Sequence, residues 1–229
     1  MRPTRVLTAY QFSTGKLTRP YTLAVVSDIH NEPYDDIWPL VEGADALLAP
    51  GDIADRYCHR ADRGVAFLRD AARRMPTFFS PGNHETRHSD FWGLMKEIED
   101  AGATALVNRY VRYEELWIGG WYDPEVIGRP FPMEEYEALP GCKVLLCHKP
   151  HHYMKYLRDR KLDLTVAGHA HGGQIRLGDQ GVYAPGQGFF PRYTRGLVDG
   201  RMIVSAGAGN PSKMPRWNNP CEVVKITLT

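Results

Sequence analysis

The residues of this chain that could do chemistry fall in five short clusters. "SDIH" supplies Asp28 and His30, "GDIAD" supplies Asp52 and Asp55, and "GNHE" supplies Asn83 and His84. "LLCH" supplies His148, and "GHAHGG" supplies His169 and His171. Oxygen and imidazole donors without a thiolate suit manganese, iron or zinc. One carboxylate can bridge two cations, and Asp52 is best placed to do so. Burying so many polar groups without a cation would leave each in need of its own partner. Taken singly, every cluster has an ordinary reading. "SDIH" and "GDIAD" are common turns, Asn83 could cap a helix, and His148 could be a satisfied core histidine. Their joint occurrence, each behind an apolar run, points instead to a metal centre.

Those apolar runs are the elements that must position the clusters. Residues 21–28, 45–52, 76–83 and 143–148 are short, apolar and bounded by turn formers, so they read as buried strands. "LDLTVAGHAH" reads as a fifth. Ligands in open α/β sheets bind beyond the carboxyl ends of the strands, which brings the five clusters to one rim. Residues two apart on an extended segment share a face, so Asp28 pairs with His30 and His169 with His171. Glycines 51, 82 and 168 let the backbone turn sharply as it leaves each strand. Residues 64–75 and 89–102 carry apolar side chains at helical spacing, with Ser89 as N-cap and Gly102 as the stop. After Gly168, short strands separated by glycine-rich turns suggest antiparallel sheet. The whole, residues 1–229, reads as a single α/β domain with two sheets.

Composition narrows the function classes. Lys plus Arg number 28 against 27 Asp plus Glu, a net charge of +1. That balance gives no electrostatic footprint for nucleic acid. No run of 18 apolar residues offers a transmembrane segment, and the polar start lacks the apolar stretch of a signal peptide. The four cysteines, 58, 142, 147 and 221, show no paired spacing. Free thiols and a cytoplasmic location are the expectation.

The series "DIH", "GDIAD", "GNHE", "CH" and "GHAH" resembles the calcineurin-like metallophosphoesterase superfamily. The stretches "GHAHGGQIRLG", "GLVDGRMIVSAGAGN" and "NPCEVVKITL" further resemble its branch of small bacterial phosphoesterases typified by YkuE and YaeI, some of which act on lipid or sugar-lipid phosphates. The resemblance implies a four-layer α/β/β/α sandwich of two mixed sheets, with two divalent metal ions at the strand ends. It assigns Asp28, His30, Asp52 and His171 to the first ion, and Asp52, Asn83, His148 and His169 to the second. It implies hydrolysis of a phosphodiester, pyrophosphate or lipid-linked phosphate by a metal-bridging hydroxide. His84 would face the substrate, oriented by Asp55, with Asn83 and Arg56 contacting the phosphate. Lys149, His151 and His152 stand near the mouth or in a solvated loop. Residues 120–141 form a packed connection, a lid or a lipid-facing surface for peripheral membrane contact. The alternative is a non-catalytic binding module on the same fold, but such members lose ligands or the substrate-facing histidine, and this sequence retains them all.

Overall fold

The computed structural model describes residues 4–55, 62–210 and 215–229. The chain opens with strands β1 (Arg5–Phe12), β2 (Tyr21–Val25), β3 (Ala46–Ala49), β4 (Thr77–Phe79) and β5 (Thr104–Ala105). It continues through β6 (Arg109–Tyr113), β7 (Leu116–Trp121), β8 (Cys142–Cys147) and β9 (Leu164–Ala167). Four two-residue strands follow: β10 (Arg176–Leu177), β11 (Gln180–Gly181), β12 (Tyr183–Ala184) and β13 (Gly188–Phe189). The last strands are β14 (Gly196–Val198), β15 (Met202–Val204) and β16 (Cys221–Leu228).

Two mixed six-stranded sheets result, in the orders β1-β16-β2-β3-β4-β5 and β14-β15-β9-β8-β7-β6. The alternation of side chains along each strand builds four layers. In β2, Leu23 and Val25 enter the cluster between the sheets, while Ala24 faces the other way into a cluster with Phe67, Leu68, Leu94 and Ile98 from helices. In β8, Val144 and Leu146 enter the same inter-sheet cluster, while Leu145 and Cys147 pack with Met133, Tyr136, Tyr153 and Leu157. Each sheet thus buries one face on the other sheet and one on helices, which is the α/β/β/α sandwich expected. The strands β2, β3 and β4 pair in parallel, as do β7, β8 and β9. Their carboxyl ends therefore point one way within each sheet.

The C-terminal region departs from expectation. Its own antiparallel sheet is confined to the two-stranded hairpins β10–β11 and β12–β13, and its other strands join the two large sheets. β15 joins β9 in parallel, and β16 slots between β1 and β2, parallel to the first and antiparallel to the second. Between strands that both lie after Gly168, β14 on β15 and the two small hairpins are the antiparallel pairs among the described residues. The reason is burial. Val223, Val224, Ile226 and Leu228 are apolar on both faces and need a central position, which an edge hairpin would not give. β1 and β6 are not legible as strands because tyrosines and arginines blur their alternation, and β7 because two glycines and two tryptophans break up its aliphatic run.

The helix expected over residues 89–102 spans Phe91–Asp100, and its N-cap is Asp90, not Ser89. Asp90 Oδ1 accepts from the Gly93 N–H at 2.9 Å, satisfying a donor that the first helical turn leaves open. Gly102 follows with φ +97°, as a stop residue should. Asp90→Ala is expected to cost about 1 kcal/mol, and Ser89→Ala less than about 0.5 kcal/mol. Urea-unfolding midpoints read the difference, and a larger loss at Ser89 would return the cap to that residue.

Candidate metal centre

The five clusters lie just past the strand ends, in the turns that follow. β2 stops at Val25 and β9 at Ala167, so Asp28–His30 and His169–His171 are not extended. They share a pocket for a different reason from the one expected. Asp28, His30, Asp52, His169 and His171 all have positive φ, between 46° and 68°. Non-glycine residues seldom occupy that region, and they do so chiefly where the surroundings impose it.

Backbone hydrogen bonds impose it here. The Asp28 N–H donates to the Gly51 carbonyl and the His30 N–H to the Asp52 carbonyl, each at 3.1 Å. The Gly168 N–H donates to the His148 carbonyl at 3.0 Å. The two sheets are joined by the His169 N–H, which donates to Asp28 Oδ1 at 3.0 Å. The glycines matter mainly through close approach. Gly51 has φ +86° and does turn as expected, but Gly82 and Gly168 do not have positive φ. A Cβ on Gly82 would lie 2.2 Å from Asp52 Oδ1, and one on Gly168 2.3 Å from Asp28 Oδ2. The loops press directly onto the two carboxylates.

The side chains of Asp28, His30, Asp52, Asn83, His84, His148, His169 and His171 are all buried. Three sets bring their ligand atoms within 4.8 Å of one another: Asp28–His30–His171, Asp52–His148–His169, and His30–Asp52–His84. Asn83 Oδ1 lies 3.3 Å from His148 Nε2, and Asp52 Oδ2 lies 3.2 Å from the same nitrogen. His84 Nδ1 is 3.3 Å from Asp55 Oδ1, and its ring sits edge-on 4.4 Å from that of His30. Arg56 lies outside the described residues. Of the mouth residues, Lys149 and His151 line the cavity, whereas His152 packs against the rings of Trp121 and Tyr156. Residues 120–141 are mostly a packed connection, with Trp121, Tyr122, Phe131, Met133 and Tyr136 buried.

The electrostatics follow from burial. Burial lowers the pKa of His30 to about 3 and holds those of His169 and His171 well below the usual value. These imidazoles are neutral and offer lone pairs. Burial also opposes charge on Asp52, but His148 beside it keeps the carboxylate well below the usual range. The partner effect reverses the order at His148: burial opposes its charge, yet Asp52 lifts it to about 9. Asp28 is pushed up to about 6, chiefly by burial.

Tautomers test whether the set fits a cation. His148 Nδ1 lies 2.7 Å from the Pro50 carbonyl. A carbonyl only accepts, so a proton sits on Nδ1, and the second proton, held on Nε2 by Asp52 Oδ2 at 3.2 Å, must leave before Nε2 can ligate through its inward-facing lone pair. His171 is different. Arg216 Nη2 stands 3.1 Å from its Nδ1, and a guanidinium only donates. The proton of His171 then sits on Nε2, 3.3 Å from His30 Nε2. Ligation through that atom requires the proton to shift and the Arg216 contact to open. With that adjustment, the nitrogen and oxygen donors fit divalent transition metals.

Two residues that hold the site were missed. Glu85 was visible in "GNHE" but carried no assigned role. It is fully buried, and its carboxylate accepts from the N–H groups of Asp52, Ala54 and Gly82 at 2.7–2.9 Å. Burial and the nearby Asp52 carboxylate push its pKa up to about 7. Arg216 had no local signal, since its contact with His171 spans 45 residues.

The sequence matches the family described as calcineurin-like phosphoesterase over residues 21–173, more than half of the chain. The chain belongs to that family. It is 28% identical over 177 residues to the transmembrane protein with metallophosphoesterase domain of Danio rerio, covering 67% of this chain and 40% of that protein. It is 27% identical over 237 residues to the uncharacterized protein YpbG of Bacillus subtilis, covering 96% and 85%. A solved metallophosphoesterase from Sphaerobacter thermophilus is 13% identical, with a TM-score of 0.36, covering 67% of this chain and 61% of the other. The chain spans 40% and 50% of the length of the first two curated relatives it matches.

Glu85→Ala would leave three buried N–H groups without an acceptor, at about 1–3 kcal/mol each. The expected outcome is a stability loss above about 3 kcal/mol, with reduced metal retention, since the Asp52 and Asn83 loops share this anchor. Urea unfolding and elemental analysis after manganese loading check it. Stability within about 1 kcal/mol of the parent would mean that another contact holds the loops.

Proposed function

We propose that this chain is a two-metal phosphoester hydrolase. One cation would be held by Asp28, His30, Asp52 and His171, and the other by Asp52, Asn83, His148 and His169. The observation that carries the reading is the pair of buried triads, Asp28–His30–His171 and Asp52–His148–His169, at one junction of the two sheets. Asp52 also groups with His30, which supports it as the bridge. Divalent cations bound there would supply Lewis acidity toward phosphoryl oxygens and lower the pKa of water. Every other contribution comes from the chain. Asn83 presents its amide to the phosphoryl group. His84 carries a proton toward the leaving oxygen, its ring held by Asp55. The intact set, His84 included, argues against a non-catalytic scaffold. The shared inter-sheet cluster supports one domain, and the C-terminal motifs support the YkuE/YaeI-like branch.

The leaving group separates the role of His84 from metal binding. His84→Ala should retain about two cations per chain while losing turnover roughly 10²–10⁴-fold on alkyl phosphate esters. Aryl esters, whose leaving group departs without a proton, should lose much less. In the same measurements, Asp52→Asn should lose more metal than Asn83→Ala. Turnover of matched esters with elemental analysis decides it. A chain that holds less than one cation when saturated would end the two-metal reading, and metal loss in His84→Ala would make His84 a ligand.

We further propose that the substrate is presented at a lipid surface. Phe189 is 75% exposed and Phe190 63%, and Tyr183, whose ring centroid lies 5.5 Å from that of Phe189, is exposed with them. Pro185 and Gly186, in the same stretch, line the cavity of the metal centre. Exposed apolar groups gathered beside a site mark an interaction surface. No helix among the described residues is long and apolar enough to cross a membrane. Phe189→Ser with Phe190→Ser should cut co-sedimentation with anionic phospholipid vesicles at high salt. Equal sedimentation of parent and variant would exclude this surface.

A further inference from the structure

The cavity beside the clustered ligands holds about 260 Å³, and it has a second chemical face. Arg87, Lys149 and His151 line it alongside the buried carboxylate and imidazoles. Arg87 ends the short helical turn Glu85–Arg87 that follows His84. Lys149 follows His148 directly, and its Nζ stands 5.2 Å above the Tyr122 ring, which steadies the ammonium without neutralising it. Among the described residues, no carboxylate forms an ion pair with Arg87 or Lys149. His151 Nδ1 is buried without a hydrogen-bond partner. Its ring closes the wall against the Pro185–Gly186 loop, where a Cβ on Gly186 would come 2.5 Å from His151 Cε1. Buried polar atoms in folded proteins are normally paired. Here two cations and an imidazole line one small space, and the carboxylate that lines it with them, Asp52, is already engaged by the His84 N–H and by His148.

We infer that Arg87, Lys149 and His151 form an anion subsite for a second phosphoryl group, so that the substrate class is an organic diphosphate. The inference rests on the hydrolase reading of the adjacent ligand set. In the reaction, a water oxygen bonds to the phosphorus at the ligand cluster and the bridging P–O bond breaks. Its electron pair leaves on the second phosphate, and each product monoester keeps one of the two water protons. Fixed cations at the place where that charge gathers stabilise the transition state more than the ground state. A simple ester with an uncharged alcohol leaving group gives these residues nothing to hold.

The test compares two probes, inorganic phosphate and methylenediphosphonate, whose P–C–P link is not hydrolysed. Calorimetric titration of the full chain at matched manganese content gives their affinities for the parent, Lys149→Gln and Arg87→Gln. Each substitution should weaken methylenediphosphonate by about tenfold more than phosphate, the size of one charge-assisted hydrogen bond. Equal losses on both probes would place these residues on the scissile phosphoryl group, and no loss on either would remove the subsite. Both results overturn the inference. The readout needs no turnover. A parent that prefers the diphosphonate but hydrolyses neither p-nitrophenyl phosphate nor an organic diphosphate would fail the hydrolase reading and leave the subsite standing.

Discussion

Asp52 is tied at every polar atom, and the arrangement of the site depends on it. Its N–H donates to Glu85 and its carbonyl accepts from His30. Oδ1 accepts from the His84 N–H at 2.8 Å, and Oδ2 faces His148 Nε2 at 3.2 Å. Those partners come from the loops after β2, β4 and β8. A residue so constrained can be held at φ 54°, a conformation that costs energy and persists only when over-determined. The close pass of Gly82 over the carboxylate belongs to the same constraint, since a methyl group there would displace Asp52.

Topology turns this local knot into a site that spans both sheets. β2, β3 and β4 are parallel neighbours, so their loops emerge together and bring Asp28, His30, Asp52 and Asn83 to one edge. β8 and β9 do the same in the second sheet for His148, His169 and His171. The inter-sheet cluster of Leu23, Val25, Val144, Leu146 and Val166 fixes the distance between the two edges. The bond from the His169 N–H to Asp28 then closes the seam over 141 residues of chain. Packing in the interior thus sets the spacing at which the donors face each other.

Burial gives the donors their character. Imidazoles removed from water and crowded by one another stay neutral, while Asp52 keeps its charge through His148. The result is a set of lone pairs around a retained carboxylate, suited to cations. Lys149 and Arg87 line the same cavity and bring positive charge to it. A cavity lined by both cation-binding groups and cationic side chains suits an anionic substrate.

The sequence by itself determined the residue types and their place in the chain. Apolar runs within residues 21–28, 45–52, 76–83, 143–148 and 162–171 announced buried strands, and the Asp, Asn and His at their ends announced donors at a rim. Those are local properties, so spacing reveals them. The residues alone gave one domain with two sheets, and the four-layer sandwich was what the family resemblance implied; buried strands agree with it, because strands apolar on both faces must be covered on both. The tertiary structure decided what spacing cannot encode. It showed that the paired donors reach one pocket through left-handed turns and not through extended alternation. It put β16 inside a sheet, between β1 and β2, pairing Cys221 with Arg5, 216 residues earlier in the chain. It gave Glu85 three backbone donors to hold, set Arg216 against His171, and brought Lys149 and Arg87 to one cavity. Each of these depends on loops from distant segments meeting at atomic range. No local pattern carries that information, because hydrogen-bond direction and close contact exist only once the two sheets have packed.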